Sequence, residues 1–398
     1  MIHKMKIRTP QYYSKFKCIA GACTDTCCAG WDVDVDADSY KYYKTVKGQF
    51  GKRLKGVMVP SDDGGCTFTL NNGRCPFLNN RNLCDLYTEL GEDRLCDTCA
   101  EFPRFINEYG SVREIGIAPS CITAGEIIFN YKDKLEFVVN EDDKPVSMYN
   151  DIDPMLYMGL ITARNTAYKI AQDRDLKIED RLMLLLDFSK KLQIKIDNDR
   201  TDLIVGISKR YKSGEYIKRR LISLYKAYSD ENNYAAYNAV FKYFDEFTGM
   251  EVINSEWLKY CDIIKKFKAG LDNRGKAGDM TDITREFNKY YKDRQFEYEQ
   301  IIVYYIYRYF LDAVNDYDVL LKMKNAVVGF AILKCADIAV WNENGGELSK
   351  KEQINIAHLY SRQFEHSYTN FSKYSEMFES RRIYSFTNMM KILQLTQI

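Results

Sequence analysis

Cys18-Ile19-Ala20-Gly21-Ala22-Cys23-Thr24-Asp25-Thr26-Cys27-Cys28-Ala29-Gly30-Trp31 sets four thiols in one short run. Six more follow at Cys66, Cys75, Cys84, Cys96, Cys99 and Cys121, and only Cys261 and Cys335 lie beyond. That crowding is too dense for packing alone and means either disulfides or a metal or iron–sulfur centre. The first 125 residues are rich in Gly, Pro and Cys with short apolar runs. Trp31-Asp32-Val33-Asp34-Val35-Asp36 alternates apolar and acidic residues, as a short edge strand does. Val112 to Ile117 reads as another strand.

All seven prolines lie at or before Pro154. The proline-free remainder carries helical apolar spacing. It predicts helices over Met155–Asp173, Ile178–Gln193, Glu215–Tyr228, Tyr234–Phe247, Glu256–Lys268, Gln295–Val314, Val319–Val340 and Lys350–Phe364. Leu182, Leu185, Leu186 and Phe188 give the second of these one buried face. Asn342 to Gly346 reads as a loop, and Ser349 as the cap of the last helix. The expected fold is therefore mostly α: an irregular Cys-rich N-terminal domain with a few short strands, then an all-α domain. The expected boundaries are 1–137 for the cysteine domain, 138–154 for an acidic, Pro-punctuated linker, and 155–398 for the helical domain.

A chain of 398 residues can bury two or three cores and needs no disulfides to fold. Met1 to Lys6 is basic but no apolar segment follows, so no signal peptide is expected. No run approaches a membrane span. The expected compartment is the cytoplasm, where thiols stay reduced and metal ligation is favoured. The net charge of +1 argues against a nucleic-acid binder.

Thiolates are soft ligands for zinc or iron–sulfur clusters. Cys96 and Cys99 can reach one centre from a single turn. Adjacent Cys27 and Cys28 point in different directions, so they serve two centres, or one is a ligand and one packs. The three histidines, His3, His358 and His366, all fall outside the cluster. All-thiolate iron–sulfur coordination is therefore the first reading and zinc held by four thiolates the second. The candidate ligands are Cys18, Cys23, Cys27, Cys28, Cys75, Cys84, Cys96, Cys99 and Cys121. Cys66, among Gly and Asp residues, is the weakest member, and Cys261 and Cys335 read as packing. The spacing does not assign which thiolates share a centre.

Together, Cys23 to Trp31, Cys75-Pro76-Phe77-Leu78, Cys84-Asp85-Leu86-Tyr87, Leu90-Gly91-Glu92, Leu95-Cys96-x2-Cys99-x2-Phe102-Pro103-Arg104 and Ser120-Cys121 resemble the flagellin lysine-N-methylase family. Its N-terminal part belongs to a wider group of zinc- or iron-chelating cysteine domains. The motif resemblance covers residues 11 to 125. The helical remainder is similar in length and in its Tyr-rich character, notably Glu299 to Phe310. The resemblance implies methyl transfer from S-adenosylmethionine to lysine ε-amino groups of flagellin, in a bacterial cytoplasm before export. It also implies a bound [4Fe–4S] cluster.

The residues themselves qualify this. No strand–Gly-rich–helix unit for the methyl donor is visible. Cys23-x3-Cys27 is followed at once by Cys28, which departs from the Cys-x3-Cys-x2-Cys spacing of radical chemistry. Gln295 to Glu299 with Tyr304, Tyr305, Tyr307, Arg308 and Tyr309 offers aromatic faces for a sulfonium or a lysine, and equally the spacing of a half-buried core helix. No catalytic residue is assigned. The basic stretch from Lys209 through Lys226, and Asp32, Asp34, Asp36 and Asp38, read as solvated faces or as surfaces for charged partners. Two alternatives stay open: a non-enzymatic metal or iron–sulfur scaffold, and a redox or radical enzyme.

Overall fold

The computed structural model describes residues 4–145, 152–228, 233–274 and 277–396. Two sheets form from the first 145 residues. β1 (Lys4–Pro10), β5 (Arg104–Tyr109), β6 (Val112–Ile117) and β7 (Phe137–Pro145) make one, in the order β5-β6-β1-β7. β1 runs parallel to β6 and the other pairings are antiparallel. β2 (Val33–Val35), β3 (Met58–Pro60) and β4 (Cys66–Phe68) make the other, in the order β2-β4-β3. β2 is an edge strand, with Val33 and Val35 buried and Asp34 exposed between them. The rest is helical, so the mostly-α expectation holds.

The helices follow the apolar spacing closely. Pro154–Ala171, Ile178–Ile196, Gly214–Tyr228, Asn233–Thr248, Glu256–Arg274, Val319–Glu343 and Lys350–Glu365 all stand where periodicity puts them. Ser349 caps the last through a reciprocal capping box with Glu352. The predicted Gln295–Val314 helix is broken: the α-helix runs Phe296–Tyr309, a 3-10 turn covers Phe310–Asp312, and a short helix resumes at Ala313–Asp316. Val319–Glu343 is buried along almost its whole length, as befits a helix apolar all round.

The linker expectation needs correction over its first part. Phe137–Pro145 is β7, paired with β1 from Pro10↔Phe137 to Met5↔Asp142. Its acidic residues read as linker because its partner lies at the chain start, beyond any local pattern. Residues 146–151 lie outside the described residues.

Two hydrophobic cores result. The small one gathers Val33, Val35, Tyr43, Leu54, Phe68, Phe77 and Leu86 with Cys66, Cys75 and Cys96. The large one joins the four-stranded sheet, through Phe105, Tyr109 and Ile117, to the helices. An ion pair crosses that junction. Arg164 on Pro154–Ala171 grips Glu114 of β6 with two bonds, Nη1 to Oε2 at 2.6 Å and Nη2 to Oε1 at 2.5 Å. Both side chains are 1% exposed. A second knot sets Glu299 between Arg174 and Arg181, each at 2.7 Å.

Candidate functional site

The opening cysteine run is loop, held by its own turns and by two neighbours. Cys18 and Cys23 flank a 3-10 turn: the Cys18 sulfur accepts from the Ala20 amide at 3.4 Å, and the Cys23 amide donates to the Ala20 carbonyl at 3.0 Å. Beyond it, the Cys75 amide donates to the Cys28 carbonyl and the Gly30 amide to the Gly73 carbonyl, both at 2.8 Å. This stitches Cys28–Gly30 to the segment before Cys75. Gly30 has φ +85°, and a Cβ there would stand 2.1 Å from the Ile253 carbonyl oxygen. Only glycine admits that approach.

The remaining candidates sit on short elements of the same region. Leu78 bridges to Cys84, which precedes the Asp85–Leu90 helix. Cys96 precedes Asp97–Glu101, and the Cys99 amide donates to the Cys96 carbonyl at 2.9 Å. Cys121 precedes Ile122–Asn130. A helix N-terminus favours a thiolate. Burial still dominates at Cys121 and pushes its thiol up to about 11, as it pushes Cys75 up to about 12. The Cys27 and Cys28 sulfurs lie 3.9 Å apart. Hydrogen bonding from Cys27 brings the Cys28 thiol down to about 7. Cys66 packs in the small core beside Cys96, as Cys261 and Cys335 pack in the large one.

Among the described residues no group of three or more His, Cys, Asp or Glu is closed enough to hold a metal ion as it stands. The donor chemistry nonetheless suits a soft centre. Thiols dominate the region, and the nearby histidine is committed elsewhere.

That histidine is the feature the sequence concealed. Helix Lys350–Glu365 reaches the cysteine run with two buried side chains. His358 Nδ1 donates to the Pro119 carbonyl at 3.1 Å, and His358 Nε2 meets Asp25 Oδ2 at 2.7 Å. Arg362 Nη1 donates to Asp25 at 2.5 Å and to the Thr26 carbonyl at 3.0 Å, while Nη2 donates to the Ala29 carbonyl at 2.5 Å. Burial resists ionisation of Asp25, but His358 and Arg362 outweigh it and hold the carboxyl down at about 2. One helix face thus ties Asp25 to Ala29 and the turn before Cys121. Neither residue is flagged by composition. The available signal is their i,i+4 spacing on a predicted helix, which puts them on one face.

One turn on, His366 packs against Trp31 and Phe102, with ring centroids 4.9 and 5.4 Å away. Its Nε2 is buried with no hydrogen-bond partner. Burial, with the Arg308 and Arg362 charges, brings its pKa down to about 3. The unfolded chain therefore binds a proton that the folded chain refuses. This group's contribution is complete above the unfolded value of about 6.5 and is lost as pH falls from there toward 3. Between pH 7 and 5 it is expected to remove about 2 kcal/mol of unfolding free energy. His366→Gln should flatten urea-derived stability across that window; an unchanged pH slope would refute it.

The tyrosine helix is interior. Tyr304 and Tyr309 both donate to Glu365 Oε1, at 2.6 and 2.5 Å, and Arg308 pairs with the same oxygen at 3.1 Å. Tyr307 donates to the Arg8 carbonyl at 2.6 Å, and Tyr305 lies against Gly329. The cation over these rings is the chain's own: Arg308 sits 5.2 Å from the Tyr309 centroid and 4.8 Å from that of Phe105. In the basic stretch, Arg220 turns inward to Asp187 at 2.6 Å.

Residues 164–392, which carry this helix and both arms of the brace that His358 and Arg362 form on Asp25, match the model of the FliB lysine N-methylase C-terminal domain. The chain belongs to the FliB lysine N-methylase family. Among individual relatives, it is 25% identical over 138 residues to the Lysine-N-methylase of Salmonella typhimurium, covering 33% of this chain and 34% of that one. A Lysine-N-methylase of Salmonella choleraesuis matches to the same extent. Identity is again 25%, over 144 residues, to the flagellar biosynthetic protein FliU of Salmonella muenchen, covering 33% of this chain and 82% of that one. The match thus spans about a third of the length of the two Lysine-N-methylases. No solved structure matches. Asp25, the brace's acceptor, precedes the matched FliB region, so the contact joins that region to the cysteine run. No helix among the described residues is long and apolar enough to cross a membrane.

Proposed function

We propose that this chain is an S-adenosylmethionine-dependent protein-lysine N-methyltransferase acting on flagellin in the bacterial cytoplasm, with a [4Fe–4S] cluster held by the cysteine run. The observation that carries the reading is FliB family membership over residues 164–392, joined by buried contacts to a thiol-rich loop. A cluster bound there would cross-link the thiol-rich loop and fix it beside the helical domain. The chain's own part is positional. His358 and Arg362 fix the backbone from Asp25 to Ala29, and Gly30 lets it lie against Ile253.

Methyl transfer to an amine is a displacement: the nitrogen lone pair attacks the methyl carbon as the carbon–sulfur bond breaks. It requires a neutral amine, an aligned donor and exclusion of water. The hydroxyls of Tyr304 and Tyr309 are already bound to Glu365, which argues for scaffolding there rather than for donor binding. The departure of Cys27-Cys28 from radical spacing favours this polar route.

The test is flagellin incubated anaerobically with the purified protein and S-adenosylmethionine, followed by peptide mass spectrometry. Whole methyl increments on lysine without added reductant are expected. Unmodified flagellin with metal-replete protein would defeat the proposal, and dependence on a reductant would favour radical chemistry.

A further inference from the structure

We infer that the cysteines form two separate soft, all-thiolate centres, one from Cys18, Cys23, Cys27 and Cys121 and one from four of Cys28, Cys75, Cys84, Cys96 and Cys99, with the chain crossing between them at the Cys27–Cys28 bond. This rests on the metal-binding part of the proposed function and on nothing in its chemistry.

The packing divides the thiols this way. Cys28, Cys75, Cys84, Cys96 and Cys99 all belong to the small core around Phe68 and Phe77. Their backbones interlock there: Cys75 to Cys28 by a 2.8 Å hydrogen bond, Cys84 to Leu78 by a bridge, and Cys99 to Cys96 across one turn. Cys121 packs against the large core instead. Cys18, Cys23 and Cys27 belong to neither core. What brings Cys121 to them is His358, whose ring spans the Pro119 carbonyl and Asp25.

At the crossing, the Cys27 and Cys28 sulfurs stand 3.9 Å apart. Each set has at least four sulfurs, the number a tetrahedral zinc or a cubane cluster takes.

The experiment uses the full chain purified anaerobically, with iron, sulfide and zinc counted per chain and Mössbauer and visible spectra recorded. Wild-type protein is expected to hold two centres. Cys121→Ser should lose one and keep the other, Cys96→Ser combined with Cys99→Ser, which leaves the second set three thiols, the reverse, and Cys66→Ser neither. Circular dichroism checks that each variant folds, and the wild-type count stands whatever the variants do. Visible absorption separates iron–sulfur from zinc in each position. A single centre in the wild type, or loss of all metal in both ligand variants, overturns the division while leaving the proposed function standing. Wild-type protein with neither iron nor zinc overturns both.

Discussion

Arg362→Ala is expected to cost about 3 kcal/mol of stability and to loosen the cysteine run while the helical core persists. Arg362 is 3% exposed and makes three bonds across the junction, to Asp25, Thr26 and Ala29. Alanine leaves the Thr26 and Ala29 carbonyls without this donor and the Asp25 carboxylate without its guanidinium, though His358 stays beside it. Asp25 is 22% exposed, so water recovers part of the loss. This sets the figure at the lower end of what breaking a buried pair costs. Arg362→Lys keeps the charge but replaces a planar fork by one ammonium, which cannot serve three acceptors at once, so an intermediate loss is expected. The exposed Arg285–Asp282 pair is the control; its removal should change stability by less than about 0.5 kcal/mol. Urea denaturation measures all three. A thiol-labelling assay should show faster modification of Cys23 and Cys27 in Arg362→Ala. A loss below about 1 kcal/mol with unchanged labelling would mean the brace holds nothing.

The helices were legible because periodicity is local: each apolar face declares itself within a few turns. Ser349 was legible for the same reason, its capping box needing only Glu352. β7 was not, since a charged strand is made by its partner, and β1 lies more than a hundred residues away. The tyrosines of Phe296–Tyr309 show the ambiguity of one residue type. Spacing placed them on a helix, but only the fold shows Glu365 and Arg308 consuming their polar ends. For the candidate site, the sequence found the thiols and missed what arranges them. Asp25 looked like spacer inside a motif, and His358 mattered at first only by its distance from the cysteines. Both acquire roles through a contact spanning 333 residues. No local pattern encodes such a contact. A helix can announce that two of its side chains share a face, but not what that face will meet.

Arg164→Ala should be the most damaging single change, costing about 3–5 kcal/mol. The guanidinium and the Glu114 carboxylate are each 1% exposed and joined by two bonds, with Arg8 adding a third contact at 3.4 Å. The Tyr168 and Tyr307 rings flank the cation at 5.8 and 5.9 Å. Removing Arg164 leaves a carboxylate sealed between sheet and helix with only Arg8, 18% exposed, near it. Glu114→Gln alone should be comparably harmful, because it strands the guanidinium. The informative variant is the double one. Glu114→Gln with Arg164→Met removes both charges and fills similar volume, and is expected to recover much of the loss. With Arg164→Met alone closing the cycle, a coupling free energy of a few kcal/mol would show that the pair is expensive to break rather than expensive to lack. If the double variant is as unstable as the sum of the singles, Arg164 acts through packing on Tyr168 and Tyr307 instead. The distinction matters for the cysteine run. β6 ends two residues before Pro119, whose carbonyl receives His358. Arg164 therefore anchors Glu114 and His358 anchors Pro119, two successive holds on the stretch that leads into Cys121. A chain that loosens at Arg164 should also label faster at Cys121, with no residue of the thiol region altered.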